Sequence, residues 1–196
     1  MKSERYRMIP VQRPYIGREE LDAVVGVFDT RWLGMGSVTA EFENKLREYL
    51  GVKHVIAVNS GTSALHIALD GLELQVGDEV IVPSFTFIAT AHALQWQGIT
   101  PVFCDIDPKT YNISPARIRE TLENIPGIKA VLVVHLYGLP AEMDEITDIC
   151  RKKGVILIED CAQAHGAEYK GKKVGALGDV GCFSFYANKI ITTGEG

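Results

Sequence analysis

The 196-residue sequence has only four cysteines, Cys104, Cys150, Cys161 and Cys182, and no two of them are spaced as a CxxC pair. That leaves no sequence pattern for thiol redox chemistry or for a metal, and no metal site is expected. Cys104 and Cys182 fall in or beside apolar, strand-like runs, where free cysteine acts as a small hydrophobe. Reduced core thiols in a cytoplasmic protein are the expectation. No apolar segment follows Met1-Lys2-Ser3-Glu4-Arg5, so no signal peptide is evident. No uninterrupted apolar stretch reaches the length needed to span a bilayer, which excludes an integral helical membrane protein. Positive charge is not in excess either: the formal net charge is −5. Neither nucleic acid nor an anionic membrane is therefore expected as a partner, and a phosphate-bearing ligand must be held by local geometry. Internal repeats, low-complexity segments and linkers are absent.

What is present fits a globular protein, with 46% hydrophobic and 23% charged residues. The length suits one large domain with a substantial core. From about residue 54 short β-rich runs alternate with helical patterns. Strands are expected at His54–Val58, Glu79–Val82 (ended by Pro83), Pro101–Cys104, Ala130–Val134, Val155–Glu159 and Val180–Phe185. Helices are expected near Thr62–Leu72, Ile88–Gln97 and Met143–Lys153. The strands are apolar at consecutive positions, which implies a sheet buried on both faces. Helices between such strands imply parallel βαβ units with right-handed crossovers, an α/β fold with a mostly parallel sheet and helices on both faces. The first fifty residues differ. Arg18–Phe28 reads as an amphipathic helix, Gly34-Met35-Gly36 as a turn, and Thr39 as the cap of a second helix reaching Leu50. Phe42, Leu46 and Tyr49 share one face of that helix.

Sites in open parallel sheets lie beyond the carboxyl ends of the strands. Ser60–Ser63, Ser84–Phe87, Asp105, His135, Asp160 and Ser184 all fall there. Asn59-Ser60-Gly61-Thr62-Ser63 follows a strand and opens a helix, where unpaired N–H groups and the helix dipole favour an anion. It is a phosphate cradle or an ordinary Ser/Thr cap, and it is not a Walker loop, because no Gly-Lys-Ser/Thr follows. Gly175-Ala176-Leu177-Gly178-Asp179-Val180-Gly181 precedes a strand and reads as a turn. Alternation directs one of Phe85 and Phe87 into the site and the other into the core. Asp160 ends the Ile156–Asp160 run, with Gln163 and His165 following. Asp160 serves either as a helix cap or as a carboxylate against a ring nitrogen. Lys189 follows the last strand, with Ser184 available to a phosphate and Thr192-Thr193-Gly194 after it. A lysine able to form an imine and an aspartate that keeps a pyridine nitrogen protonated are what pyridoxal 5'-phosphate (PLP) requires. Imine formation needs an unprotonated amine, which desolvation or nearby positive charge favours, and the freed amine can act as general base.

Four ordered motifs carry a resemblance. They are Ser60-Gly61-Thr62-Ser63-Ala64-Leu65, Val82-Pro83-Ser84-Phe85-Thr86-Phe87, Glu159-Asp160-Cys161-Ala162-Gln163-Ala164-His165-Gly166-Ala167, and Phe183-Ser184-Phe185-Tyr186-Ala187-Asn188-Lys189 with Ile190-Ile191-Thr192-Thr193-Gly194-Glu195-Gly196. Together the sequence resembles the DegT/StrS-type nucleotide-sugar aminotransferases from about Ile9 to Gly196. The resemblance implies a PLP-dependent enzyme with the fold-type I, aspartate-aminotransferase-like large domain. It implies Lys189 and Asp160 as catalytic residues, the former bonded to the cofactor and the latter at the pyridine nitrogen. Phe87 would stack on the ring, Gln163 would face its phenolic oxygen, and Gly61, Thr62, Ser63 and Ser184 would surround the phosphate. A related branch of sugar dehydratases has histidine where Lys189 stands, so the lysine favours transamination.

Within the family, the Lys189 and His165 segments are most similar to the perosamine-synthase group, although Ala187 replaces its common glycine. The implied reaction moves an amino group from glutamate to C4 of GDP-4-keto-6-deoxymannose. Amination at C3 or on a dTDP- or UDP-linked keto-sugar is the alternative, and a non-catalytic relic or regulatory PLP-fold protein is an alternative of another class. Residues 1–50 are expected to form a helical segment packed on a PLP-binding large domain of residues 51–196. Family members continue further, adding an antiparallel strand between the first and last strands and a smaller carboxyl-terminal domain. Their site is shared across a homodimer, with Trp32–Gly36 near the partner's cofactor. The expectation is that residues 1–196 alone leave two bare sheet edges and are inactive.

Overall fold

The computed structural model describes Ile9, Pro10 and residues 12–196. The Met1–Arg5 reading therefore lies outside the described residues. Five parallel strands form the central sheet: β1 (Glu79–Pro83), β2 (Thr100–Cys104), β3 (Ala130–Val134), β4 (Ile156–Asp160) and β7 (Val180–Cys182), in the order β2-β1-β3-β4-β7. A two-stranded hairpin, β5 (Glu168–Tyr169) and β6 (Lys172–Lys173), stands apart. Helices α3 (Gly61–Gly71) and α4 (Ala89–Trp96) cover one face, and α5 (Pro115–Asn124) and α6 (Met143–Lys153) cover the other.

Alternation along each strand divides the core in two. Val80, Val82, Leu132 and Ile158 pack with Leu65, Leu69 and Leu94 from α3 and α4. Ile81, Val131, Val133 and Leu157 pack with Ile118, Met143, Ile146 and Ile149 from α5 and α6. Both faces of the inner strands β1, β3 and β4 are buried, which is why those strands read as apolar at consecutive positions, whereas the edge strand β2 is half open. All four cysteines are buried and free, as small core residues. Burial pushes the Cys104 thiol up to about 11 and those of Cys150 and Cys182 to about 12, so they are unreactive at neutral pH. No helix among the described residues is long and apolar enough to cross a membrane.

Several expectations change. His54–Val58 is not a strand: it joins no ladder among the described residues, and Ile56 is 71% exposed. Its apolar residues lack a neighbouring strand, and its one described side-chain anchor is Glu43, whose Oε1 accepts from the Ala57 N–H at 2.8 Å. The last strand ends at Cys182, not Phe185, because Cys182 is the last residue matched by β4, opposite Asp160. Pro83 closes β1 from inside the ladder, opposite Cys104. Helix α2 (Ser37–Leu50) starts two residues before Thr39, with Gly36 as its cap. A side chain at 36 would meet the Trp32 indole nitrogen at 2.7 Å, and that indole N–H donates to the Met35 carbonyl. Helix α5 and the hairpin were not expected, although Ser114-Pro115 is a recognisable helix start.

Helix α1 (Arg18–Thr30) and α2 have no buried residues. Helix α2 reaches the sheet domain through Phe42, edge-on to Phe185 at 5.2 Å, and through Tyr49, over which the Lys173 ammonium lies at 4.1 Å.

The turn from Gly175 to Gly178 is wedged between β4 and β7. An added Cβ would come within 2.5 Å of the Leu157 carbonyl oxygen at Gly178 and within 2.4 Å of the Gly175 oxygen at Gly181. Both obstacles are backbone and cannot rotate away. Gly181→Ala is therefore expected to destabilise the fold by about 1–3 kcal/mol, as overpacking does. Urea unfolding checks this, and an unchanged midpoint would contradict the packing described.

Candidate active site

The carboxyl ends of β4 and β7 and the amino terminus of α3 converge. Ser60 is the N-cap of α3, its Oγ accepting from the Ser63 N–H at 3.0 Å. The N–H groups of Gly61 and Thr62 belong to the first turn and have no intrahelical acceptor, so they remain available to an anion. Ser63 differs, because its hydroxyl is engaged with Asn59 Oδ1 at 2.7 Å and Ser60 Oγ at 2.9 Å. Ser184 is buried and closes the cradle from the other side. A Cβ on Gly61 would meet the Ser184 Cβ at 2.6 Å. Glycine is thus required here by close approach. Gly61→Ala is expected to destabilise the fold by about 1–3 kcal/mol, read as a lower unfolding midpoint in urea. A midpoint equal to that of the parent would show that Ser184 can move aside.

Asp160 sits on the α3/α4 face of β4 and is buried. The Thr90 hydroxyl donates to its Oδ2 at 3.0 Å and the Ala162 N–H to its Oδ1 at 3.0 Å. Burial pushes its carboxyl above the usual range, opposed by those hydrogen bonds and by the charge of Lys189. An isolated buried carboxylate of this kind is poised to receive a cation.

Lys189 is half-buried rather than a solvated surface charge. Its loop is closed by a Tyr186–Gly194 bridge, by the Thr193 N–H donating to the Phe185 carbonyl, and by its own N–H donating to the Tyr186 carbonyl. Its side chain has no hydrogen bond or ion pair among the described residues, and its charge is felt by both Asp160 and His165.

Gln163 Oε1 accepts from the Tyr137 N–H at 2.9 Å, which leaves the amide NH₂ to donate elsewhere. Tyr137 makes that bond from a left-handed conformation (φ 53°), an uncommon one for a side chain of this size. His165 lies beside the rings of Phe183 and Phe185, with centroids 5.5 and 5.0 Å away. Among the described residues neither of its ring nitrogens meets a partner in hydrogen-bonding geometry, although the Ser184 backbone is close enough to favour the protonated ring. Burial, then the Lys189 charge, push its pKa down, so the ring is neutral at physiological pH.

Phe85 and Phe87 are both exposed, at 46% and 67%, so neither enters the core. Phe85 leans on Tyr111 at 5.8 Å, which explains its departure from the expected alternation. Phe87 presents an open aromatic face. Ser84 is exposed as well, and His135 is wholly buried and faces away from Asp160, so these two are not brought into the site.

The arrangement suits a planar, phosphorylated, nitrogen-containing ring. A cradle that a Cβ would fill, a buried carboxylate without a cationic partner, a free amide donor and an unpaired amine supply four different functions to one ligand. PLP carries the matching groups: phosphate, pyridine nitrogen, phenolic oxygen and aldehyde.

Comparison with known proteins points the same way. Residues 14–196 match the DegT/DnrJ/EryC1/StrS aminotransferase family. The chain is 47% identical over 189 residues to GDP-perosamine synthase of Caulobacter vibrioides, covering 96% of this chain and 50% of that protein. It is 42% identical to dTDP-4-dehydro-2,3,6-trideoxy-D-glucose 4-aminotransferase of Saccharopolyspora spinosa, covering 96% and 49%. The PLP-form of the sugar aminotransferase Spr1654 from Streptococcus pneumoniae superposes with a TM-score of 0.92 at 31% identity, covering 96% and 51%. The chain spans about half the length of the curated relatives it matches.

Proposed function

The chain belongs to the DegT/DnrJ/EryC1/StrS aminotransferase family, whose cofactor is PLP, and on that premise we propose that it forms the cofactor-binding half of a nucleotide-sugar aminotransferase. The observation that carries this reading is the convergence of the Gly61–Ser184 cradle, the buried Asp160 and the half-buried Lys189 at one end of the sheet.

Bound PLP supplies an electron sink that stabilises the carbanion formed when a proton leaves the amine-bearing carbon. The chain's own residues divide the remaining work. The Gly61 and Thr62 N–H groups and the Ser184 hydroxyl bind the phosphate dianion, and Ser63 supports them by fixing Ser60 and Asn59. Asp160 holds a proton at the ring nitrogen, and the cation there offsets the burial of its carboxylate. Gln163, its oxygen occupied by Tyr137, donates to the phenolic oxygen. Phe87 covers one ring face and excludes water, worth about 0.5–1.5 kcal/mol beyond its buried area. Lys189 would hold the cofactor, and its amine is the group that would move the proton at the substrate carbon as general base.

The donor is glutamate and the acceptor a nucleotide-linked 4-keto-6-deoxy sugar, GDP-4-keto-6-deoxymannose in the reading supported by the 47% identity to a GDP-perosamine synthase. A dTDP-linked keto-sugar is the second reading, supported by the 42% identity to a dTDP-sugar 4-aminotransferase. The enzyme acts in the cytoplasm as a homodimer with a shared site. The exposed apolar residues of α1 (Val24, Phe28) and of the following turn (Trp32, Leu33, Met35) support that assembly. In this reading residues 1–196 alone are inactive, because the sugar contacts of the remaining half are needed.

Incubating the intact PLP-loaded protein with glutamate and each keto-sugar tests the assignment. The expected result is 2-oxoglutarate and an amino sugar from the GDP-linked acceptor. Turnover confined to the dTDP-linked acceptor would favour the second reading. Failure of glutamate to convert the cofactor to its amine form would make the protein a non-catalytic relic.

A further inference from the structure

Next to Asp160, on the opposite face of β4, stands a charged group that the proposed reaction does not use. Glu159 is fully buried, and so is His135, which faces it from the end of β3 at 2.9 Å. A carboxylate offers about four lone-pair positions. Glu159 fills all four. Its Oε2 accepts from His135 Nε2 and from the Gly175 N–H at 2.8 Å, and its Oε1 from the Leu177 and Gly178 N–H groups, both at 2.7 Å. These donors outweigh the large effect of burial and hold its carboxyl below the usual range.

His135 is equally committed. Its Nδ1 accepts from the Ala141 N–H at 3.1 Å, so that nitrogen is unprotonated and the ring is neutral with its proton on Nε2. The Cys161 thiol completes a trio whose ligand atoms lie within 4.8 Å of one another. Every carboxylate lone pair already has a donor, three of them backbone N–H groups that a cation would have to displace, so the cluster is a hydrogen-bonded clamp and not a metal site.

What the clamp grips is the turn leading into β7. That turn has no slack: a Cβ on Gly175 would strike the Phe183 ring at 2.5 Å, and one on Gly178 the Leu157 carbonyl. Six residues beyond Gly178 lies Ser184, packed against Gly61, and Lys189 follows five residues later. We infer that Glu159, backed by His135, is a positioning residue that sets the β4 end carrying Asp160 against the β7 end carrying Ser184 and Lys189. This rests on the cofactor reading above, in which those two ends must engage one ligand.

Glu159→Gln tests it in the intact protein. The amide replaces one oxygen with a donor facing N–H groups, so two hydrogen bonds are lost and donors oppose each other. In cofactor-free protein, hydrogen exchange at Gly175, Leu177 and Gly178 is expected to accelerate at least about tenfold, the scale of one such bond. Exchange at Ser184 to Lys189 should accelerate with it, while β1 and β2 keep their protection. PLP affinity is expected to fall by about tenfold or more, with a shift in the pH midpoint of the lysine-bound chromophore. His135→Asn, which keeps the three backbone donors, should give smaller changes in the same direction, and it serves if Glu159→Gln does not fold. A loosened Gly175–Gly178 turn with unchanged Ser184–Lys189 exchange, or with unchanged PLP affinity and chromophore, overturns the inference. Parent protein that binds no PLP overturns the cofactor reading instead, and the exchange experiment then still decides whether the two strand ends are mechanically coupled.

Discussion

Lys189→Ala is expected to leave a folded protein that takes up PLP without the visible absorbance of the lysine-bound form, and to reduce amino transfer by at least 10²–10⁴-fold, roughly the contribution of general acid–base catalysis alone. The fold should tolerate the change. Lys189 makes no side-chain hydrogen bond or ion pair among the described residues, and its loop is closed by main-chain bonds that alanine retains. Its charge nevertheless acts locally, lowering the pKa of both Asp160 and His165. Lys189→Arg separates the two roles: it keeps the positive charge but cannot bond the aldehyde. Absorbance spectra and single-turnover kinetics on both variants check this. Wild-type-like absorbance in either variant would move the cofactor lysine elsewhere.

Asp160→Asn should cause an equally sharp split between stability and activity. Burial raises the Asp160 carboxyl pKa in the folded, cofactor-free protein. The folded state therefore holds that proton more tightly than the unfolded chain. The resulting stability is present below the ordinary aspartate value and is lost as pH rises through the raised folded value. Above that value the folded, cofactor-free protein holds a buried carboxylate, a cost that asparagine removes. The variant also keeps the local bonds, its oxygen accepting from Ala162 N–H and its amide facing the rotatable Thr90 hydroxyl. The expected result is a Tm advantage for cofactor-free Asp160→Asn that is absent in acid and appears as pH rises through the raised Asp160 value. Turnover should fall by about 10²–10³-fold, the effect of losing one preorganised electrostatic contact. A Tm difference that does not change with pH would contradict the assigned burial cost.

The position of Asp160 was legible in the sequence for a physical reason. An unbroken apolar run ending in a carboxylate identifies a doubly buried strand and the position just past its end, and Ile156–Asp160 forms that strand. Gly61 was legible as part of a Ser/Gly/Thr segment opening a helix, but the need for glycine there arises from Ser184, 123 positions away, which no local pattern reveals. His54–Val58 shows the opposite failure. Its residues favour a strand, yet a strand is defined by its neighbour, and among the described residues it has none. Phe85 and Phe87 misled because alternation does not survive beyond Pro83, where the chain leaves the ladder.

Glu159 and His135 were hidden for a different reason. A carboxylate at the end of an expected strand, or a histidine just past one, carries no local mark of which face it takes or what it bonds. Only the fold shows it to be wholly buried and saturated by a turn that the sequence marks with little more than spaced glycines. The signal that was available is the pairing of glycines at 175, 178 and 181 with a carboxylate on an otherwise apolar strand.

Borohydride reduction of the PLP-loaded intact protein, followed by peptide mass mapping, tests the central claim most directly. The account predicts a stable pyridoxyl adduct on Lys189 in the peptide that contains Ser184. An adduct on another lysine with Lys189 unmodified, or no adduct in folded protein saturated with PLP, would contradict it.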